Sequence, residues 1–383
     1  MILLLGVLLR LFWLGFSSHQ PRWSWETNIG LENDLINIHA VELTKGIWFH
    51  DAEGNPSGRR PIGYPMFLGL LYKLFGMRLD VVWIAHILLF AVTLYLLFLI
   101  TKIIFTERAA LLAAFLFSIY PTSIYSVKLI TDEHLFLPVW YLGLYFLLKE
   151  LDHKLQPGRW FWYGLTFGFA TTIRTHAIFM PLVVGLGYLL KQLNWRSVIL
   201  NIALVAIAMQ VINLPWAIRN YKVWGVPVLY TATAPAIYAQ VNSTATPEGG
   251  GHIPKQGELG FSEEFERARS SGNEGLLHKI ANREMTRWII QHPGEFLAMG
   301  VARLLIFMNW NRKGGVWPIW YQYYDGAHDP KRPLVGTLRE VVEEAAFASY
   351  YIILFCFLLS IAFIISRWNL FAEKNKICIV VLA

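Results

Sequence analysis

An all-α polytopic membrane protein is the fold class that the sequence predicts, and three observations predict it. Only 15% of the 383 residues are charged while 55% are hydrophobic, against roughly a quarter charged in an average soluble domain. The 16 Trp, 17 Tyr and 25 Phe exceed what a soluble core requires, and Trp and Tyr gather where an apolar body meets a wet headgroup layer. Apolar runs alternate with short basic loops, the pattern of helices that cross a bilayer. An ordinary cytosolic enzyme is excluded on these grounds. The net charge of +7 needs no nucleic-acid partner, and Cys356 and Cys378 cannot build a disulfide framework or a Cys-rich metal centre.

A crossing helix needs about 20 mostly apolar residues. Eight stretches answer to that: Met1 to Phe16, Val81 to Ile104, Ala109 to Val127, Leu129 to Leu148, Trp160 to Ile173, Thr175 to Leu190, Val198 to Ile218, and Phe347 to Ser366. The first has neither the basic start nor the cleavage site of a signal peptide, so it counts as a span. Cytoplasmic loops retain Lys and Arg. The connections after spans two, four, six and eight hold Lys102 and Arg108; Lys149, Lys154 and Arg159; Lys191 and Arg196; and Arg367, Lys374 and Lys376. The short hairpins on the other side hold only Lys128 and Arg174. Even-numbered connections are therefore expected inside, which puts Ser17 to Asp80 and Arg219 to about Ala346 outside.

The expected layout is a transmembrane catalytic bundle of seven spans over 1–218, including the first outer loop 17–80. An extracytoplasmic region with interfacial helices follows over 219–346, then a C-terminal region over 347–383. The run Phe296 to Trp310 is short and carries Arg303, so it reads as interfacial or re-entrant. The last apolar run, Ile377 to Ala383, supplies seven residues where a span needs about 20, as expected of a truncated chain.

In the first outer segment a short helix is expected over Leu35 to Lys45, with Asp34 at its N-cap and Gly46 past its end. An apolar half-helix from Pro65 to Phe75 is expected in the interface. In the second, two polar helices are expected, Ser262 to Arg269 and Leu276 to Gln291, stopped by Pro293-Gly294. The aromatic cluster Trp310, Trp317, Trp320, Tyr321, Tyr323 and Tyr324 reads as an interfacial belt. Asn242-Ser243-Thr244 is a sequon on the outer side.

Three polar clusters fall at the outer interface: Glu32-Asn33-Asp34; Thr131-Asp132-Glu133-His134; and the cations Arg174 and Arg219. Charge at membrane depth is costly and faces a cavity or a partner. Arg174 is the most informative, because only the 31 residues from Trp160 to Leu190 cross twice around it and leave little slack to lift it into water. A cation held there seeks an anion, and a lipid phosphate is the obvious one. Asp34 could instead cap a helix, and Asp132 with Glu133 could be cap and first-turn acids. His39, His86, His134 and His176 show no metal-ligand spacing, so no cofactor is implied, with a divalent metal left as an open addition. There is no Gly-rich phosphate loop, no Gly-x-Ser-x-Gly elbow and no nucleophilic Cys setting, which sets NTPases and serine hydrolases aside. Acids and arginines at a membrane surface suit sugar transfer from a lipid phosphate. The leaving phosphate needs cations but no proton, while the acceptor hydroxyl needs a base.

The order Asp34, Ala40, Lys45-Gly46, Arg60-Pro61-Ile62-Gly63-Tyr64-Pro65 and Leu74-Phe75-Gly76 resembles the first outer loop of the GT-C superfamily of membrane glycosyltransferases. The nearest resemblance is to its family-39-like bacterial members, relatives of protein O-mannosyltransferases and lipid A aminoarabinose transferase. Further matches are Tyr120-Pro121, Asp132-Glu133-His134-Leu135, Thr171-Thr172-Ile173-Arg174, Pro215-Trp216-Ala217-Ile218-Arg219-Asn220-Tyr221 and His292-Pro293-Gly294-Glu295-Phe296. Together they run from Leu3 to about Trp310.

The resemblance implies a GT-C-type helical bundle in the bacterial plasma membrane. It implies an inverting transferase that faces outside and uses a polyprenyl-phosphate sugar donor, with membrane lipids and a glycan, lipid or protein acceptor as its other partners. Asp34 matches the catalytic first-loop acid, and Asp132 or Glu133 the second acidic site. Arg174, Arg219 and Arg60 are expected at the donor phosphate, and Tyr64, His134 and His39 at the substrate pocket. Protein mannosyltransferases carry an adjacent Asp-Glu pair in the first loop, whereas Leu35 follows Asp34 here, so mannosyl transfer to protein is not specifically implied. Family members also have more spans than eight. Two other readings of the charges are a transporter or flippase of a lipid-linked anion and a non-catalytic truncated homologue.

Overall fold

The computed structural model describes residues 1–17, 35–50, 54–152, 157–190, 194–232, 262–308, 333–367 and 379. Asp34, the sequon, the aromatic cluster from Trp310 and all of the final apolar run but Ile379 lie outside the described residues. Among those described there are helices and one isolated bridge, His50 with Pro56. The helices are α1 (Ile2–Ser17), α2 (Leu35–Thr44), α3 (Gly63–Phe75), α4 (Leu79–Ile104), α5 (Glu107–Ser118), α6 (Pro121–Tyr125), α7 (Glu133–Asp152), α8 (Pro157–Ile173), α9 (Met180–Leu190) and α10 (Trp195–Trp224). They continue with α11 (Glu263–Ser270), α12 (Glu274–Gln291), α13 (Pro293–Met308) and α14 (Pro333–Ser366). The all-α polytopic expectation holds.

Each of the eight apolar runs is helical, but three of them, in α4, α10 and α14, are long and apolar enough to cross a membrane as single helices. The others are shorter, more polar or broken, and the breaks have local causes. Thr106 caps α5 by accepting from the Ala109 amide at 3.2 Å. α5 stops at Ser118, because Pro121 forces the preceding Tyr120 out of the helical region (ψ 116°). The run expected as one helix over 109–127 is therefore two, bent by 55°. The helix expected from Leu129 begins only at Glu133, which leaves 129–132 as a linker outside it. The run expected from Thr175 opens as a 3-10 turn, Thr175–Phe179, before α9. Pro293 does end α12, but as the first residue of α13, where its missing N–H costs nothing.

The chain divides into two compact units. One comprises 1–32, 75–212 and 312–383, the other 33–74 and 213–311. In the first, α4 packs on α1, α5 and α7, and α7 packs on α8. Its core joins Ile100 and Ile104 of α4, Leu144, Leu147 and Leu148 of α7, Trp160 and Phe167 of α8, Met180 and Val184 of α9, and Val205 and Met209 of α10. The outward faces of α4 and α14 remain apolar, with Leu88, Tyr95, Phe355 and Phe363 all exposed. An integral membrane helix presents such a face to lipid. Gly164 and Gly168 form a small-xxx-small stripe that lets α8 lie directly on the α10 backbone. A Cβ at Gly164 would stand 2.7 Å from the Val205 carbonyl, and one at Gly168 2.8 Å from that of Met209.

In the second unit α2 lies on α3, where Gly69 meets the Ala40 carbonyl and the Tyr72 hydroxyl donates to Asn37 Oδ1 at 2.8 Å. Gly46 follows α2 with φ +77°, the left-handed position expected past its end. Ser262 and Asn273 cap α11 and α12, which close on each other through Phe265, Ala268, Ile280 and Ala281.

Gly164→Val should lower the stability of the detergent-solubilised protein by about 1–3 kcal/mol through overpacking. Gly300→Ala, with open space around it, should be neutral or slightly stabilising. Thermal unfolding of both variants tests this; an unchanged midpoint for Gly164→Val would mean the two helices do not meet there.

Candidate functional site

Within the first unit the linker 129–132 and the break between α8 and the 3-10 turn bring three charges together. Arg174 is the residue on which α8 ends: its amide still bonds the Ala170 carbonyl at 2.8 Å, and its own backbone is extended (φ −138°, ψ 121°). Asp132 stands one residue before α7 and accepts the Phe136 amide on its carbonyl at 2.9 Å, which leaves its carboxylate for other work. Arg174 Nη2 donates to Asp132 Oδ1 at 2.7 Å and also to Glu133 Oε1. The guanidinium that was expected to seek a lipid phosphate thus has two protein carboxylates. Its Nε is buried and has no hydrogen-bond partner among the described residues.

Two carboxylates on one guanidinium leave a net charge of −1 when both are ionised. Asp132 is 21% exposed, Arg174 32% and Glu133 49%, so Asp132 bears most of the desolvation. Burial, then the Glu133 charge, outweighs Arg174 and pushes the Asp132 carboxyl from its ordinary 3.8 up to about 6. A carboxylate tuned toward neutrality is suited to exchanging a proton with a hydroxyl.

His134, next in sequence, is turned away from this cluster. Its Nε2 donates to the Ser126 carbonyl at 2.8 Å, and its ring stacks on His86 with centroids 3.9 Å apart. His86 Nδ1 in turn donates to the Val127 carbonyl at 2.9 Å. Each imidazole thus spends one N–H on a backbone carbonyl of the 3-10 turn that follows α6.

The second unit holds Arg219, Arg60, Tyr64 and His39. Arg219 is committed to main-chain and amide oxygens: Nη2 donates to Phe49 O (2.9 Å) and Trp48 O (3.2 Å), and Nη1 to Ser57 O (3.2 Å) and Asn220 Oδ1 (2.9 Å). Its guanidinium sits by the Trp216 and Trp224 rings at 4.9 and 5.2 Å. Carbonyls hold a cation without cancelling its charge, so Arg219 both ties down 48–57 and stays positive. Buried Glu274, at the start of α12, grips the same loop. It accepts from the Gly58 amide at 2.6 Å, from Arg59 Nε at 2.8 Å and from the Ser57 hydroxyl at 3.3 Å. Arg60, half-buried, directly follows this clamp. Tyr64 is buried in the first turn of α3. His39 is fully buried on α2, its Nδ1 3.4 Å from Glu42 and its Nε2 without a partner among the described residues. Burial, ahead of the opposing pull of Glu42, lowers its pKa and favours the neutral ring.

Sequence reasoning passed over Glu274, which no motif marks, and Arg10, a lone cation inside the first apolar run whose cost at membrane depth was itself the signal. Among the described residues no group of three or more His, Cys, Asp or Glu is placed to hold a metal ion.

Because the folded pKa of Asp132 is raised, the fold binds its proton more tightly than the unfolded chain does, and stability from this group is lost as pH rises from about 4 to about 6. Asp132→Asn removes that dependence. The midpoint of wild type minus that of Asp132→Asn should therefore fall across this window and be flat above it. A difference that rises with pH would show that Arg174, not burial, dominates the carboxyl.

Residues 59–216 match the family model described as dolichyl-phosphate-mannose-protein mannosyltransferase. No curated protein and no solved structure matches the chain. The matched stretch contains Arg60, Tyr64, Asp132, Glu133, His134 and Arg174 and ends three residues before Arg219. The chain is thus an integral membrane protein that over residues 59–216, less than half of its length, is similar to the dolichyl-phosphate-mannose-protein mannosyltransferase family, a GT-C type of glycosyltransferase.

Proposed function

We propose that the protein moves a sugar from a polyprenyl-phosphate donor to an acceptor hydroxyl at the extracytoplasmic face of the membrane, with inversion and with an Asp as general base. The observation that supports this best is the Asp132–Arg174–Glu133 cluster inside the family-matched stretch. It joins a tuned carboxylate to a cation with a buried, unsatisfied N–H. In the reaction a carboxylate takes the acceptor proton and the acceptor oxygen forms its bond to the anomeric carbon. The bond from that carbon to the phosphate oxygen breaks, and its electron pair leaves with the phosphate, which needs no proton.

Asp34 takes the role of base, by its match to the first-loop acid. Asp132 and Glu133 form the second acidic site, with Arg174 as the cation beside them for the departing phosphate; in the second unit Arg219 and Arg60 are the cations assigned to the donor phosphate. Tyr64 and His39 in the second unit, and His134 in the first, are the residues assigned to substrate binding. Arg219 contributes its field while holding 48–57, since carbonyl ligation leaves its charge intact.

Asp34→Asn keeps size and removes the base, so transfer should fall about 10²- to 10⁴-fold while binding of a polyprenyl-phosphate sugar survives; near-normal turnover would sink the assignment. Arg174→Ala should weaken donor binding more than Arg174→Lys, because a monodentate cation retains part of the field. Equal affinity in wild type and both variants, measured with the lipid donor in detergent, would confine Arg174 to structure.

A further inference from the structure

Arg10 lies in the middle of α1, an apolar helix, and is 1% exposed. Among the described residues no carboxylate forms an ion pair with it. An unpaired cation in such a place is expensive unless every donor finds an oxygen. Arg10 Nη1 donates to the Gly6 carbonyl at 2.9 Å and to the Ser118 carbonyl at 3.0 Å, Nη2 donates to Ser123 Oγ at 2.7 Å, and the guanidinium lies 3.2 Å over the Phe90 ring. Ser118 is the last residue of α5 and Ser123 lies in α6, so one side chain grips both sides of the 55° bend.

Other contacts converge on the same bend. Gly6 allows the approach: a Cβ there would meet the Phe90 ring at 2.9 Å and Ser118 Cβ at 3.1 Å. Trp13, one turn beyond Arg10, packs on Tyr125 at 4.6 Å. From the bend the hydrogen bonds run on to the acidic site. Ser126 Oγ donates to the Ser123 carbonyl at 3.3 Å, and His134 Nε2 to the Ser126 carbonyl at 2.8 Å. Asp132 and Glu133 immediately precede His134.

We infer that Arg10 is a positioning residue for the acidic site. By ligating Ser118 and Ser123 it sets the bend between α5 and α6, and through Ser126 and His134 the bend sets where Asp132 and Glu133 meet Arg174. That these two acids matter to transfer rests on the function proposed above; that Arg10 fixes their segment does not.

The test uses the full chain in detergent and two readouts, amide hydrogen exchange and transfer kinetics per folded molecule. Arg10→Met keeps an unbranched stem over Phe90 and removes the donors. Exchange across 119–134 should quicken while that across 160–173 in α8 holds. kcat should fall about 10- to 100-fold from misplacement alone, with KM for the donor within about twofold. Arg10→Lys should recover part of both effects. Unchanged exchange across 119–134 in Arg10→Met overturns the inference. Ser123→Ala, which removes one acceptor and leaves α1 intact, should show a smaller effect in the same segment, and its absence there overturns the inference equally if Arg10→Met cannot be isolated. A wild-type protein that transfers no sugar defeats the proposed function, while the exchange result still decides the role of Arg10.

Discussion

A backbone carbonyl freed inside an apolar medium has no water to bond, so every interruption of a helix must be answered by a donor from elsewhere in the protein. The first unit is organised around that demand. Pro121 ends α5 and the chain does not resume a long helix until Glu133; between them the Tyr120 carbonyl keeps the Ile124 amide and the Ser126 carbonyl the Leu129 amide, while side chains reach the Ser118, Ser126, Val127 and Lys128 carbonyls. The donors come from three helices: Arg10 of α1 to Ser118, Trp83 and His86 of α4 to Lys128 and Val127, and His134 of α7 to Ser126. The four bonds tie three helices to the same short segment, and that segment carries the acids to Arg174. The second unit solves the same problem over 48–58, where Arg219 answers the carbonyls and Glu274 answers the Gly58 amide.

Arginine does this work because one guanidinium offers five donors in a plane and stays charged. Its consequences depend on what it meets. Arg10 and Arg219 meet neutral oxygens and aromatic faces, so the protein retains their charge. Arg174 meets two carboxylates, so its charge is more than cancelled. A lysine at any of the three could satisfy fewer acceptors, and at the bend it could not span Ser118 and Ser123 with the same fork.

Much of the fold was legible because the bilayer imposes a length and a composition that the apolar runs meet residue by residue; α4 and α10 cover their expected ranges. Break points were less so. Tyr120-Pro121 was visible as a motif, yet an apolar run through it still reads as one helix, because periodicity carries no information on bending. At the site, Asp132, Glu133 and Arg174 were nominated by their cost at membrane depth, and they do meet. Their pairing was not legible: a lipid phosphate was the obvious anion for Arg174, and only distance reveals the acids 41 and 42 residues away that its guanidinium meets. Glu274 could not be found at all, since its role is to bind the backbone amide of Gly58, 216 residues earlier.

The charge count at Arg174 constrains how the proposed donor could use it. With both acids ionised the cluster is net negative and repels a phosphate; with one proton it is neutral and its guanidinium can be shared. Asp132, held at about 6, is the group that can take that proton near neutral pH. Glu133, half exposed, is the one free to leave the guanidinium for water. A phosphate arriving at Arg174 therefore displaces Glu133 more cheaply than Asp132, because the displaced carboxylate regains hydration only at the exposed position. The exchange leaves Asp132 against Arg174 with an anion beside it, a setting that raises its proton affinity further. Under the proposed function, binding of the donor and basicity of the second acid would thereby be coupled through one guanidinium.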